Sequence, residues 1–216
     1  MTEKERMLAG LLYVYREPEL QADFQNCKRI TELYNSTTSQ QEQYRELLLR
    51  ELFEKVGKNI KIQPPLHCDY GCHISVGDNF FANYECIFLD VCKVSIGDNV
   101  MFGPRVSVYA AGHPIDADVR ASGLEFGKPI TIGNNVWVGG NSVINPGVTI
   151  GDNVVIGSGS VVVKDIPPNV VAAGNPCRVL RQITDEDKRY WEGLQSAYWS
   201  EKGNGSQQEG EQQQNC

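Results

Sequence analysis

ITIGNNVWVGGNSVINPGVTIGDNVVIGSGSVVVKDIPPNVV, residues 130–171, decides the architecture of this chain. Ile132, Val138, Ile144, Ile150, Ile156 and Val162 follow one another at intervals of six without exception. The residue after five of them is Gly133, Gly139, Asn145, Gly151 or Gly157, and four places on stand Val136, Ser142, Val148, Val154 and Ser160. Of these 42 residues 17 are Val or Ile and none is Leu, which disfavours helix and favours short strands. A period of six suits neither a helix nor an ordinary alternating strand. It fits a strand of a few residues followed by a tight corner. Three such units close one turn of a triangular prism, with the apolar residue inward and the coils stacked. The expected fold is mainly β, a left-handed parallel β-helix, which is an exception to the right-handed crossover rule.

The spacing extends upstream. Ile96-Gly97-Asp98-Asn99, Phe102-Gly103 and Val108 continue it, as do Val76-Gly77-Asp78-Asn79, Ala82 and Phe88. From Phe88 to Ile96 is eight residues, so two extra residues interrupt the register near Asp90 to Cys92. The largest break lies between Val108 and Ile132. There residues 110–129, with Pro114, Gly123 and several charges, are expected to leave the prism as a loop. A long excursion from a rigid scaffold is usually functional.

The flanks have a different texture. Residues 1–59 read as an N-terminal helical segment that packs on the prism. Thr2-Glu3-Lys4-Glu5 has capping-box spacing, and Ser39-Gln40-Gln41-Glu42 repeats it ahead of Leu47, Leu48, Leu52, Phe53 and Val56. Pro18 to Tyr34 carries Leu20, Phe24, Cys27, Ile30, Leu33 and Tyr34 on one face, and Gly57 is placed to stop the last helix. The prism spans residues 60–180. Thr184-Asp185-Glu186-Asp187 starts a C-terminal helix, expected within 181–202, that carries Trp191, Leu194, Tyr198 and Trp199. The tail 203–216, GNGSQQEGEQQQNC, is expected to be disordered.

Composition narrows the function. With 20 Lys+Arg against 27 Asp+Glu the formal charge is −7, which disfavours nucleic acid as a partner. No apolar run approaches the length of a bilayer span, and the first residues carry no signal-peptide stretch. Seven cysteines without a secretory signal read as reduced thiols, so the expected location is cytoplasmic. A zinc site on this fold would need three histidines. His67, His73 and His113 do not share matching hexad positions, so no metal is expected.

Longer stretches carry a more specific signal. CDYGCHISVGDNFFANYECIFLDVCKVSIGDN, AAGHPIDADVRASGLEFGKPITIGNNVWVGGNSVINPGVTIGDN and KDIPPNVVAAGNPCRV resemble the maltose/galactoside O-acetyltransferase family of hexapeptide-repeat acyltransferases. EKERMLAGLLY resembles the short helical region ahead of the prism in that family, and LDVC and GKPI look closer to its maltose members. The resemblance covers roughly residues 2–190. It implies direct acetyl transfer from acetyl-CoA to a hydroxyl of a small sugar, in a homotrimer with active sites between subunits. Such chemistry needs a base, an oxyanion donor and pockets for both substrates, but no metal.

The family's loop histidine falls on His113, at the root of the excursion, where an imidazole titrating near neutrality could act as general base. A loop histidine with a structural hydrogen bond is the plain alternative. The resemblance puts acceptor contacts at Asn83 and Asp69; Asn83 stands where Gly is usual, and a corner Asn tolerating left-handed backbone is its plain alternative. Where galactoside members carry two acidic acceptor contacts this chain has Tyr15 and Val91, which argues against galactosides as preferred acceptors. Coenzyme contacts fall on Gly140, Ser158 and Val163, the last through its backbone. Lys164, Arg178 and Arg181 can meet the coenzyme phosphates, or form a solvated basic face. Trp137 points outward beside the inward Val138 and should face substrate or another subunit. Glu125 is expected to orient the His113 imidazole or to pair with Arg120. A non-sugar hydroxyl acceptor and a non-catalytic trimeric scaffold are the alternative readings.

Overall fold

The computed structural model describes residues 1–212, with side chains as far as Lys202. The chain forms two units, Met1–Arg181 and Gln182–Cys216. In the first, the repeat closes into a parallel β-helix of three faces. Face one stacks Lys55–Val56, Ile74–Val76, Val94–Ile96, Ile130–Ile132 and Thr149–Ile150. Face two stacks Leu66–Cys68, Cys86–Leu89, Ser107–Tyr109, Val143–Ile144 and Val161–Val162. Face three stacks Lys61–Ile62, Phe81–Ala82, Met101–Phe102, Trp137–Val138, Val155–Ile156, Val170–Ala173 and Arg178–Gln182.

The period-six residues are the interior. Ile132, Val138, Ile144, Ile150, Ile156 and Val162 are all buried, and so are Val136, Ser142, Val148, Val154 and Ser160. Each Val or Ile so buried contributes about 1.5–3 kcal/mol, so the stack is held by its axis. In the wider lower coils Phe80 meets Phe102 edge-on at 5.3 Å and Phe88 stacks on Phe102 at 6.2 Å. Two residues make each corner after face one. Gly97 is needed for approach, since a Cβ there would stand 2.7 Å from the Gly133 carbonyl oxygen. The turn itself falls two residues later, where Asn79, Asn99, Asn135 and Asn153 take φ of +54° to +59°.

The N-terminal segment folds as α1 (Glu3–Leu8), α2 (Pro18–Asn35) and α3 (Glu42–Leu52). The Thr2–Glu5 capping box forms in both directions. Ser39 does not cap α3; the Gln41 side chain instead accepts from the Thr38 N–H at 2.8 Å, closing a turn before the helix. Gly57 does not stop α3, which ends at Leu52 as Phe53 turns extended. Lys55–Val56 already pairs with Ser75–Val76, so the prism starts ahead of residue 60, and Gly57 is its first corner.

α2 and α3 cover the first coil. Cys27, Ile30, Tyr34, Leu48, Leu49 and Leu52 join its core. Asn35 matches the open edge of Leu66 as a strand would, accepting from its N–H at 2.8 Å and donating to its carbonyl at 2.9 Å. Tyr34 donates its hydroxyl to the Ile62 carbonyl at 2.6 Å. The six cysteines among the described residues are free thiols, including Cys27 and Cys68, whose sulfurs lie 3.4 Å apart.

The second unit holds α5 (Asp185–Gln212), which starts where Thr184 donates from its N–H to Asp187 at 2.9 Å. Its Trp191, Leu194, Tyr198 and Trp199 are exposed. The tail expected to be disordered is helical as far as Gln212, and residues 213–216 lie outside the described ones. No helix among the described residues is long and apolar enough to cross a membrane.

Candidate active site

The excursion at 110–129 is not an open loop. It makes a hairpin, Ala111–Gly112 against Leu124–Gly127, with the short helix α4 (Ala117–Ala121) at its tip. Asp116 caps α4, accepting from the Val119 N–H at 3.0 Å. The far strand pairs with Tyr13–Val14, so the N-terminal segment and the excursion share one three-stranded antiparallel sheet. Glu125 lies across from Tyr13 and accepts its hydroxyl at 3.0 Å. Arg120 does not pair with Glu125; it donates to the carbonyls of Pro114 and Ile115, both at 2.9 Å. His113 follows the inner strand and is exposed. The pairing ends with Gly112 opposite Phe126, so His113 leaves the inner strand one residue past it, and Glu125 is the residue before Phe126 on the far strand.

The corner between faces three and two is where other expected residues gather. Its column reads, coil by coil, Asn83, Gly103, Gly139 and Gly157, tied by N–H donations to Phe102, Val138, Ile156 and Ala172 carbonyls. Gly140 and Ser158 follow Gly139 and Gly157, so they lie on the same edge as Asn83. Small residues bring the coils close here: a Cβ on Gly139 would stand 2.5 Å from the Ser158 nitrogen. Ser158 is exposed and Gly140 half-buried. Asn83 is not among the left-handed corner residues, a place taken by Glu85 at φ +61°. Its Oδ1 accepts from the next N–H, that of Tyr84, at 2.8 Å. The left-handed backbone suggested for it as an alternative therefore falls to Glu85 instead.

Asp69 sits elsewhere, at the corner between faces two and one. It joins Tyr13, Tyr15, Gln21, Phe24, Tyr70, Val91 and Glu125 in lining a cleft of about 240 Å³. Burial, with the charge of Asp90 beneath it, pushes the Asp69 carboxyl up to about 6, while Lys28 works the other way. Tyr15 and Val91 do line this cleft, so its walls are aromatic and aliphatic as well as acidic. A larger groove of about 360 Å³, between α3 and Lys61–Ile62, contains none of the expected residues.

The rest are spread out. Val163 and Lys164 are exposed after the last strand of face two, four strands along from Asp69. Arg178 is exposed and donates to the Cys177 carbonyl at 2.8 Å, and Arg181 is exposed in the same strand. Trp137 points outward, 51% exposed, between Met101 and Val155. His73 is committed to the Asp90 carbonyl, donating from Nδ1 at 2.6 Å. Among the described residues no group of three or more His, Cys, Asp or Glu is arranged to hold a metal ion. Tyr13, Tyr70 and Asp90 were not singled out in the sequence; the two-residue break at Asp90–Cys92 was the available signal for the last.

Comparison with known proteins places this geometry. Residues 6–57 match the maltose acetyltransferase hexapeptide capping motif, and residues 129–164 match the bacterial transferase hexapeptide, six repeats. Galactoside O-acetyltransferase of Escherichia coli strain K12 is 47% identical over 191 residues, 88% of this chain and 94% of that one. A crystal structure of a maltose O-acetyltransferase from Clostridium difficile 630 is 58% identical, with a TM-score of 0.85, covering 85% of this chain and 98% of that one. A galactoside acetyltransferase solved in complex with coenzyme A is 47% identical, with a TM-score of 0.85, covering 87% and 94%.

Proposed function

This chain belongs to the maltose and galactoside O-acetyltransferase family of hexapeptide-repeat enzymes and is an acetyltransferase of that kind; from that premise we propose that it transfers acetyl from acetyl-CoA to a hydroxyl of a small sugar, with His113 as general base. The acceptor oxygen attacks the thioester carbonyl as His113 takes its proton; a C–O bond forms, the C–S bond breaks, and the imidazolium returns the proton to the leaving thiolate. Glu125, on the neighbouring strand of the hairpin, orients the imidazole. Tyr13 holds that carboxylate in place at 3.0 Å.

Acetyl-CoA lies along the edge of Asn83, Gly140 and Ser158. The alignment of these three on one edge is the observation that carries the reading. Backbone groups at Gly140, Ser158 and Val163 suit the amides of the pantetheine arm, and Lys164, Arg178 and Arg181 suit its phosphates. Asn83 and Asp69 hold the acceptor. Tyr15 and Val91 replace carboxylates there and favour a glucose- or maltose-type sugar over a galactoside.

His113 and Asp69 belong to one edge of the prism, Asn83, Gly140 and Ser158 to another, with face two between them. A homotrimer brings the two half-sites together across each interface. Beyond Lys61, which begins it, the outward row Phe81, Met101, Trp137, Val155 and Val171 is apolar and fits such a contact, whereas Lys55, Ser75, Ser95, Thr131 and Thr149 on face one are polar throughout.

Thiol release from acetyl-CoA, with glucose, maltose, a galactoside and other small hydroxyl compounds offered in turn, tests the proposal. Acceptor-dependent release is expected, falling by about 10²–10⁴-fold in His113→Ala. Release that survives this substitution rules out the base, and release with no acceptor of the panel rules out the sugar.

A further inference from the structure

A carboxyl group that the transfer chemistry does not use lies beneath the acceptor corner. Asp90 is wholly buried. Its Oδ1 accepts from the backbone N–H groups of Asp69 at 3.1 Å and Tyr70 at 3.0 Å. Its main-chain carbonyl accepts from His73 Nδ1 at 2.6 Å. Its Oδ2 is closed off from solvent without a hydrogen-bond partner among the described residues, as is His73 Nε2. Burying a carboxyl with one oxygen unsatisfied is costly, and a corner does not require it. At the same edge higher up, Asn145 manages the turn with a neutral amide donating to the Val162 carbonyl at 3.2 Å.

We propose that Asp90 is a positioning residue for acceptor binding: from inside the prism it clamps the Asp69–Tyr70 peptide, so that Asp69 presents its carboxyl to the cleft. This rests on the reading of Asp69 as an acceptor contact. The clamp fixes both residues that the corner contributes to the cleft wall, since Tyr70 lines it beside Asp69. It also couples their charges. Asp69 faces Asp90 from below, Glu125 from the hairpin and Lys28 from α2. The Asp90 carboxyl faces the backbone N–H groups of Asp69, Tyr70, His73 and its own residue, the Asp69 carboxyl, the Tyr70 hydroxyl, and the thiols of Cys68 and Cys72. Burial raises both carboxyls to about 6; the charge of Asp90 adds to the rise at Asp69, while backbone N–H groups pull Asp90 the other way. The ionised Asp69 that accepts sugar hydroxyls therefore forms as pH rises through about 6, later than it would above a neutral residue.

Steady-state kinetics of two full-length variants, with KM for sugar and for acetyl-CoA measured between pH 5 and 8.5, test this. Asp90→Ala removes the clamp and is expected to raise the sugar KM by about tenfold, leaving kcat and the acetyl-CoA KM within about twofold. Asp90→Asn keeps Oδ1 and removes the charge, so the pH midpoint of the sugar KM moves down by about one unit. Variants with lower melting temperature but unchanged sugar KM and midpoint overturn the inference, as does an equal rise in both KM values. Should Asp90→Ala not fold, the Asp90→Asn midpoint decides alone. Asp69→Asn separates the two readings. A raised sugar KM there with unchanged Asp90 variants overturns only the clamp, whereas an unchanged KM removes Asp69 as an acceptor contact and the clamp with it.

Discussion

Two edges of the prism use the same tight corner and differ in nearly everything built on it. After face one, Gly77, Gly97, Gly133 and Gly151 repeat with an Asp or Asn behind each. Asp98 accepts the Asp78 N–H at 2.7 Å, Asn134 accepts that of Asp98 at 2.9 Å, and Asp152 accepts that of Asn134 at 2.6 Å. One residue further on, Asn59, Asn79 and Asn99 each donate their amide to the Asn of the next coil, ending on Asn135, at 2.9–3.1 Å. Each of these bonds ties one coil to the next. After face three, the column Asn83, Gly103, Gly139, Gly157 has no such ladder, and Ser158 is left exposed. Regularity marks the edge that carries load, and its absence marks the edge with groups to spare for a ligand.

Three substitutions would break or sharpen this contrast. The largest effect belongs to Gly97→Ala, whose Cβ would sit 2.7 Å from the Gly133 carbonyl oxygen. A loss of about 1–3 kcal/mol in chemical unfolding is expected, with kcat of the surviving folded fraction unchanged. A neutral result would mean that the ladder edge has slack. Next comes Asn83→Gly, which installs the residue usual at that position. Stability should hold within about 0.5 kcal/mol while kcat/KM for the sugar falls about tenfold, the worth of one lost hydrogen bond. A fall in stability with activity intact would make Asn83 a ladder residue after all. The smallest is Thr131→Val on the polar face, expected within about 0.5 kcal/mol in unfolding and without effect on sedimentation. A change of assembly there would place the subunit contact on the wrong face.

The scaffold was legible because it is periodic. Six-residue spacing reports which side chains share an interior, and all six residues from Ile132 to Val162 are buried. The hairpin was not legible, because its strands are short and one partner, Tyr13–Val14, lies more than a hundred residues away in sequence. Nothing local to residues 110–129 encodes that pairing. The prism start was misplaced for a related reason: Lys55–Val56 lies directly behind an amphipathic helix, and two residues cannot show a period. Site residues divide likewise. Gly140 and Ser158 inherit their shared edge from the repeat, whereas the grouping of Asp69 with Tyr15 and Glu125 depends on the antiparallel sheet. Asp90 announced itself only as an interruption of the spacing.

Asn35 and Tyr34 close a ladder that has no natural last rung. A coil whose backbone N–H and carbonyl groups point along the axis is a template for another coil of any origin. The amide of Asn35 occupies the Leu66 positions that such a coil would take, and the Tyr34 hydroxyl occupies the Ile62 carbonyl. The helical segment thus works as a chain terminator for β-pairing. Two side chains hold main-chain positions on two faces that a further coil would need in order to pair there.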